Sequence, residues 1–506
     1  MRQVRLSIGR KNHRQKMSKP LFNPQTANAV ELAQLLGHGQ LTSVQIVEAY
    51  LAQIDLHNPG LNALISRSPR ENVLRAAERL DQERNNGKLR GPLHGIPIIL
   101  KDCFTTASDL GMSTTCGSLA LVGAKASKNS AIVQKMIDGG LIILAKANMT
   151  EFCGMKMTYM MPGWSAHGGQ TLSPYVRVIE KDEKILGHSA PGGSSTGSAV
   201  SLSAGFAPLA MGTETIGSII TPTSRNALYG LKPTVGAQDT TGMYTMTEFY
   251  DSPGPMAKSA ADVRELAGLL LDKVFDSPDM GSWKDLSVGI VDPRLWTMDE
   301  SMCRQHDGSA ENMVEEYESM VETLRKSGCS LQYPFAVPDL TGYPDTISLA
   351  HWDFKNVCMP EFLKVFDECP VSSVEDIVKF NEENKERAMP EPYTEQNDLI
   401  KAMNSNDPPE AVDEIKKTLR GKARTVLDTA FDEAEVNLLV GTCDSAFCVH
   451  AAAAGYPVAA VPLSTLKYNG RPFGLCVIAR ADGEEALLRF MAAYEAAMPS
   501  RTVPVL

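Results

Sequence analysis

The sequence has no long apolar run, no closely paired cysteines and no surplus of positive charge, and each absence removes a class of function. No apolar stretch approaches the roughly 18 residues that a membrane-crossing helix requires. The ten cysteines contain no C-x-x-C pair and are scattered among apolar neighbours. That pattern reads as reduced, buried thiols of an intracellular protein, not as a disulfide framework. A formal net charge of −11 argues against a broad electrostatic footprint for nucleic acid. Neither G-x-x-x-x-G-K-[ST] nor G-x-G-x-x-G occurs, so the usual phosphate cradles at helix N-termini are missing. Internal repeats are also absent.

Residues 1–19 lack acidic side chains and carry Arg2, Arg5, Arg10, Lys11, Arg14, Lys16 and Lys19. They also lack the apolar centre of a secretory signal. One reading is a disordered basic tail over residues 1–26 of a cytoplasmic protein, with Met17 as an alternative start. The other is a mitochondrial transit peptide, a class that is basic and poor in acids.

A chain of 506 residues, 43% of them hydrophobic, exceeds the usual limit of one core. Strand and helix patterns alternate along it, which favours an α/β layered fold. In residues 42–56, Thr42 and Gln45 form a capping box, and Val44, Val47, Leu51 and Ile54 share one helical face. A second helix, around Ala76 and Leu80, ends before Gly87. Continuous apolar runs at 94–101 and 141–146 read as buried strands, with a crossover helix at 130–137 between them. Further strands are expected at 207–212, 288–291, 436–441, 458–462 and 473–478. Residues 276–427 are charge-rich and mainly helical, with candidates at 310–326, 373–387 and 409–431 and a capping box of Ser372 and Glu375. Strand signals then resume, so the expectation is one sheet-centred domain over 27–506 with a helical insertion at about 276–427.

The chemistry concentrates in two hydroxyl-rich glycine loops, 187–198 and 212–220, that flank one apolar segment. Glycines permit tight and left-handed turns, and clustered amides stabilise an oxyanion. A Gly/Ser run is commonly a solvated linker. This one runs directly into Ala199, Val200 and Leu202, then Phe206 to Met211, as a linker does not. Lys101 ends the apolar strand at 96–101. Beside Asp102 it has a bland reading, a surface ion pair; the functional one is a buried amine that removes a proton, since burial favours the neutral form. A rival reading uses Gly193-Ser194-Ser195-Thr196-Gly197 as the G-x-S-x-G elbow of an α/β-hydrolase, with Ser195 as nucleophile and Asp444 and His450 following in chain order. That elbow needs a strand before it, and residues 184–191 make a poor one. His94 reads as structural, and His167 and His188 as surface residues near the cleft. Asp444 and His450 have no third partner at metal-ligand spacing, and Met155 to Met161 reads as gap-filling packing.

These residues together resemble the amidase signature family. GGSS[GS]GS…GT[DE]TxGSI is matched at 192–198 and 212–219, with Ser194 and Ser218 spaced 24 residues apart, and GPLHGIPxxxKD at 91–102. Residues 163–170, 233–236, 252–257, 454–457 and 472–475 are similar to further family segments, so the likeness runs from about Ala27 to Ala497. It departs at Ile216, where members usually have glycine or aspartate, and at Thr196, Ile220 and Cys103.

The resemblance implies a mixed central β-sheet sandwiched between helices and the hydrolysis of a carboxylic amide, without cofactor or metal. It implies a Ser–cis-Ser–Lys triad: Ser218 as nucleophile, Ser194 as bridge after a cis Gly193–Ser194 bond, and Lys101 as general base. The N–H groups of Thr215, Ile216, Gly217 and Ser218 would form the oxyanion hole, with Ile216 tightening that loop or making the acyl pocket more apolar. Ser195 would be a supporting residue. The implied partner is a small-molecule amide, with no nucleic acid and no membrane span; a homodimer stays open. So do three alternatives: the amidase-like component of a tRNA-dependent amidotransferase, the Ser195 esterase, and a non-catalytic binding protein on the same scaffold.

Overall fold

The computed structural model describes residues 22–337 and 346–506. Among the described residues thirteen strands occur in chain order: β1 (Leu64–Arg67), β2 (Pro97–Lys101), β3 (Ile142–Ala147), β4 (Trp164–Ser165), β5 (Gly169–Gln170), β6 (Leu209–Glu214), β7 (Tyr229–Lys232), β8 (Ser252–Ala257), β9 (Ser287–Val291), β10 (Ser330–Phe335), β11 (Leu438–Thr442), β12 (Val458–Thr465) and β13 (Pro472–Ile478). Eleven of them form one sheet in the order β1-β3-β2-β6-β8-β7-β12-β13-β11-β9-β10, and β4 with β5 makes a separate two-stranded ribbon. β3, β2 and β6 run parallel, as do β11, β9 and β10, whereas the pairings from β6 through β8, β7, β12 and β13 to β11 are antiparallel. The sheet is therefore mixed, and the fold is α/β.

Strands buried on both faces need side chains that are apolar throughout. β2, β3, β6 and β11 are buried at every position, and the apolar runs expected there mark them to within two or three residues. β8 was not expected. Its Pro253 and Pro255 cannot donate to a ladder, yet β8 lies between β6 and β7. The register explains this: β7 pairs only with Met256 and Ala257, so the prolines have no β7 partner opposite them.

The helix Ser43–Leu61 starts as expected. Thr42 Oγ1 accepts the Gln45 N–H (3.2 Å) and the Gln45 side chain accepts the Thr42 N–H (3.0 Å). The second expected box shifts by one residue. Ser373, not Ser372, caps the helix Val374–Glu383 by accepting the Asp376 N–H (3.1 Å), and Asp376 accepts the Ser372 N–H (2.9 Å). Between residues 276 and 427 lie the helices Ser309–Lys326, Thr346–Asp353 and Asn397–Met403, among others, and the helix Pro409–Glu433 runs past the expected end of the insertion. The same stretch carries β9 and β10, which extend the main sheet. β10 alternates exposed and half-buried positions at the sheet edge and so has no apolar run to announce it.

The basic run at 1–19 lies outside the described residues. Of the rest of the expected tail, Phe22 packs on Tyr50 with ring centroids 5.5 Å apart, and Gln25 donates to the Pro504 carbonyl (2.9 Å). Among the described residues no helix is long and apolar enough to cross a membrane.

Candidate active site

Lys101 and Thr213 lie at the C-terminal ends of the adjacent parallel strands β2 and β6, the end of a parallel sheet where ligand sites gather. The Lys101 side chain is wholly buried. Its amine has three partners: Ser194 Oγ at 2.7 Å, Thr213 Oγ1 at 2.8 Å and the Thr213 carbonyl at 3.2 Å. Asp102 does not pair with it, contrary to the bland expectation. Successive strand side chains point to opposite faces, and the buried Asp102 carboxylate instead accepts from Thr115 Oγ1 (2.5 Å) and the N–H groups of Thr115 and Gly117 (3.1 and 3.2 Å).

Ser194 sits in the loop before the helix Thr196–Ser203, and the Gly193–Ser194 peptide is cis. A side chain at 193 would stand 2.8 Å from Thr150 Oγ1 and 2.9 Å from both Pro162 and Thr196, so only glycine fits. The Thr150 N–H donates to the Ser194 carbonyl (3.2 Å), and Thr196 Oγ1 donates to the Gly192 carbonyl (2.6 Å). Across the site, the loop 215–218 joins β6 to the short helix Ile220–Ser224. The Ser195 N–H donates to the Ser218 carbonyl (3.1 Å) and thereby ties the two serine loops together.

Two buried carboxylates fix the 215–218 loop, and sequence reading singled out neither. Glu214 accepts the N–H groups of Ile219 (2.7 Å) and Ile220 (2.9 Å). Asp251 accepts the Thr215 hydroxyl (2.6 Å) with one oxygen and the Met246 N–H (2.6 Å) with the other. Burial raises the Asp251 pKa to about 6. The only sequence signals were the Thr-Glu-Thr triplet at 213–215 and an aspartate directly before the segment 252–257.

Gly217, at φ +76°, takes the left-handed turn of this loop. Ile216 is therefore spared the conformation that a β-branched residue tolerates badly. Its half-buried side chain packs against the apolar cluster that includes Ile220, Tyr250 and Phe447. Thr215 and Ser218 are 8% and 7% exposed.

The elements of the rival hydrolase reading are not brought together. Ser195 is wholly buried, and its hydroxyl is held between the Thr213 carbonyl (3.1 Å) and the Thr213 N–H (3.2 Å). No strand precedes it within residues 171–195. Asp444 gives one oxygen to Arg225 (2.8 Å) and the other to Arg471 (2.9 Å), and His450 lies edge-on to Trp296 with ring centroids 5.1 Å apart. His188, expected at the surface, is 1% exposed and meets the Arg471 guanidinium (2.8 Å), and burial lowers its pKa to about 4. Among the described residues no group of histidine, cysteine or acidic side chains could hold a metal ion.

A family model described as Amidase matches residues 45–488, and the chain belongs to that family. It is 29% identical to a putative amidase of Schizosaccharomyces pombe, over 94% of this chain and 85% of the relative. The A-type component of the glutamyl-tRNA(Gln) amidotransferase of Novosphingobium aromaticivorans is 28% identical over 91% of this chain and 94% of its own. Among solved structures, the native peptide amidase from Stenotrophomonas maltophilia superposes with a TM-score of 0.82 at 28% identity, covering 95% of this chain and 98% of that one.

Proposed function

We propose that this chain cleaves a small carboxylic amide through an acyl-enzyme on Ser218, with Ser194 and Lys101 as its proton relay. The observation that carries the reading is the 2.7 Å contact of a fully buried lysine amine with the Ser194 hydroxyl, on a loop that the Ser195 N–H ties to the Ser218 carbonyl (3.1 Å). Ser218 Oγ attacks the carbonyl carbon while its proton passes to Ser194 Oγ, and the Ser194 proton passes to Lys101 Nζ. The N–H groups of residues 215–218 receive the developing oxyanion, where one donor is worth roughly 3 kcal/mol. As the C–N bond breaks, the relay returns the proton to the leaving amine. Water then repeats the sequence, releases the acid and restores Ser218. The scheme requires the Ser194 and Ser218 hydroxyls to come within hydrogen-bond reach in the substrate-bound state.

The chemistry needs neither cofactor nor metal. A cytoplasmic site of action agrees with ten unpaired cysteines, which a reducing compartment preserves.

The test is hydrolysis of simple amides by the purified chain alone, compared with Ser218→Ala. Turnover that vanishes in the variant supports the reading. A chain that works only with added partner chains is instead the amidase-like component of an amidotransferase.

A further inference from the structure

The aspartate at the start of β8 has no part in the relay just described, yet it touches the loop on which that relay depends. Asp251 is 8% exposed, and both of its oxygens accept short hydrogen bonds, from Thr215 Oγ1 and from the Met246 N–H, each 2.6 Å long. Its place is set by register. Ser252 is the Cα partner of Glu214, so Asp251 stands across the ladder from Thr215, where β6 ends and the loop begins. Asp251 is in turn held from behind: its N–H donates to the Thr247 carbonyl (3.0 Å), and Thr247 Oγ1 donates to Asp353. Lys416 closes the chain on the other Asp353 oxygen (2.6 Å). A continuous set of hydrogen bonds thus links the serine loop to the helices Thr346–Asp353 and Pro409–Glu433.

We propose that Asp251 is a positioning residue of this active site: it acts through Thr215, whose hydroxyl it grips, and so holds the 215–218 loop with its N–H groups aimed at one point. The inference rests on the reading of that loop as the oxyanion hole. A donor array stabilises a transition state only when it is fixed before the reaction. A carboxylate is the stronger anchor because hydrogen bonds to ionised acceptors are shorter and stronger than neutral ones.

The charged and titratable groups facing Asp251 are Lys101 from β2, Lys232 from β7, Tyr244 from the loop after β7, and Cys358 from the helical turn Phe354–Cys358. Burial raises the Asp251 pKa to about 6, although the Thr215 and Met246 hydrogen bonds and the Lys101 charge oppose it. The carboxylate anchor is therefore present above pH 6 and is lost as pH falls through that value.

The experiment measures how fast an alkyl fluorophosphonate labels Ser218, resolving the maximal rate from the half-saturating concentration, from pH 5 to 9. Its phosphoryl oxygen needs the same donors as a tetrahedral intermediate. Asp251→Asn should lower the maximal rate about 10- to 100-fold and leave half-saturation within about 3-fold. It should also remove the step that the wild type shows near pH 6. Thr215→Val should match that loss, Thr215→Ser should retain most of the rate, and the double variant should be no slower than the slower single one. An unchanged rate in Asp251→Asn overturns the proposal, as do losses that multiply in the double variant or a pH 6 step that persists. Should Asp251→Asn fail to fold, Thr215→Val labelling at the wild-type rate overturns it alone. A wild-type protein that takes no label at Ser218 overturns the reading of the site itself.

Discussion

Thr213 holds the Lys101 amine twice, by its hydroxyl at 2.8 Å and its carbonyl at 3.2 Å, and leaves Ser194 Oγ as the third partner at 2.7 Å. One residue of β6 thus fixes the direction in which the amine faces the serine. In the proposed mechanism that aim is as important as the base itself, because proton transfer requires the partners to be within hydrogen-bond reach.

Thr213→Val keeps the carbonyl and the side-chain shape but removes the hydroxyl. The maximal rate should fall about 10-fold or more with little change in KM, whereas Thr213→Ser should stay near the wild type. Steady-state kinetics on any amide that the enzyme turns over reads this directly. Equal rates in Thr213→Val and wild type would mean that the carbonyl alone orients the amine.

Ser195 and Ser218 separate the two serine readings. The buried Ser195 hydroxyl both donates to and accepts from the Thr213 backbone, so Ser195→Ala takes the side-chain partner from the buried Thr213 N–H, while the Thr213 carbonyl keeps Lys101. The expected cost is about 1–3 kcal/mol of stability, seen as a lower denaturation midpoint, with the folded fraction active within about 10-fold. Ser218→Ala should lose at least about 10³-fold in rate at unchanged stability. The reverse pattern would restore Ser195 as the nucleophile.

Lys232 supplies a pH test of the core. It is wholly buried on β7 and donates to the Tyr456 carbonyl (2.8 Å), and burial lowers its pKa to about 8. In the unfolded chain a lysine keeps its proton to about pH 10.4. Between pH 8 and 10 the unfolded state therefore binds more protons, and stability from this group rises with pH. It is fully present above the unfolded pKa and is lost as pH falls through about 8. The difference in Tm between wild type and Lys232→Met should change progressively from pH 7.5 to 9.5, in the direction that favours the wild type at the higher pH. Parallel curves would show that this amine does not change its charge on folding.

What the sequence made legible follows from which forces are local. β2 and β11 announce themselves because both faces are buried and every residue is apolar or nearly so. The cap at Thr42 is legible because its partner is three residues away. β8 was hidden because proline is a general argument against a central strand, and only the short β7 beside it makes Pro253 and Pro255 admissible. The pairing of Lys101 with Ser194 spans 93 residues. No periodicity reveals it; the resemblance of whole motifs placed the two together. Asp251 was missed for the opposite reason. Nothing in its own neighbourhood distinguishes it from a surface aspartate, and its meaning comes from register with Glu214 across the sheet. The same holds for Asp444, whose partners Arg225 and Arg471 arrive from two other segments.

The central claim, that a buried amine drives Ser218 through Ser194, meets its most direct test in peptide-level mass spectrometry after a brief pulse of an alkyl fluorophosphonate at neutral pH. The account predicts a single phosphonyl adduct on Ser218 in the wild type, at least about 10³-fold slower in Lys101→Ala and strongly slowed in Ser194→Ala. An adduct on Ser195, or Lys101→Ala labelling at the wild-type rate, would contradict it.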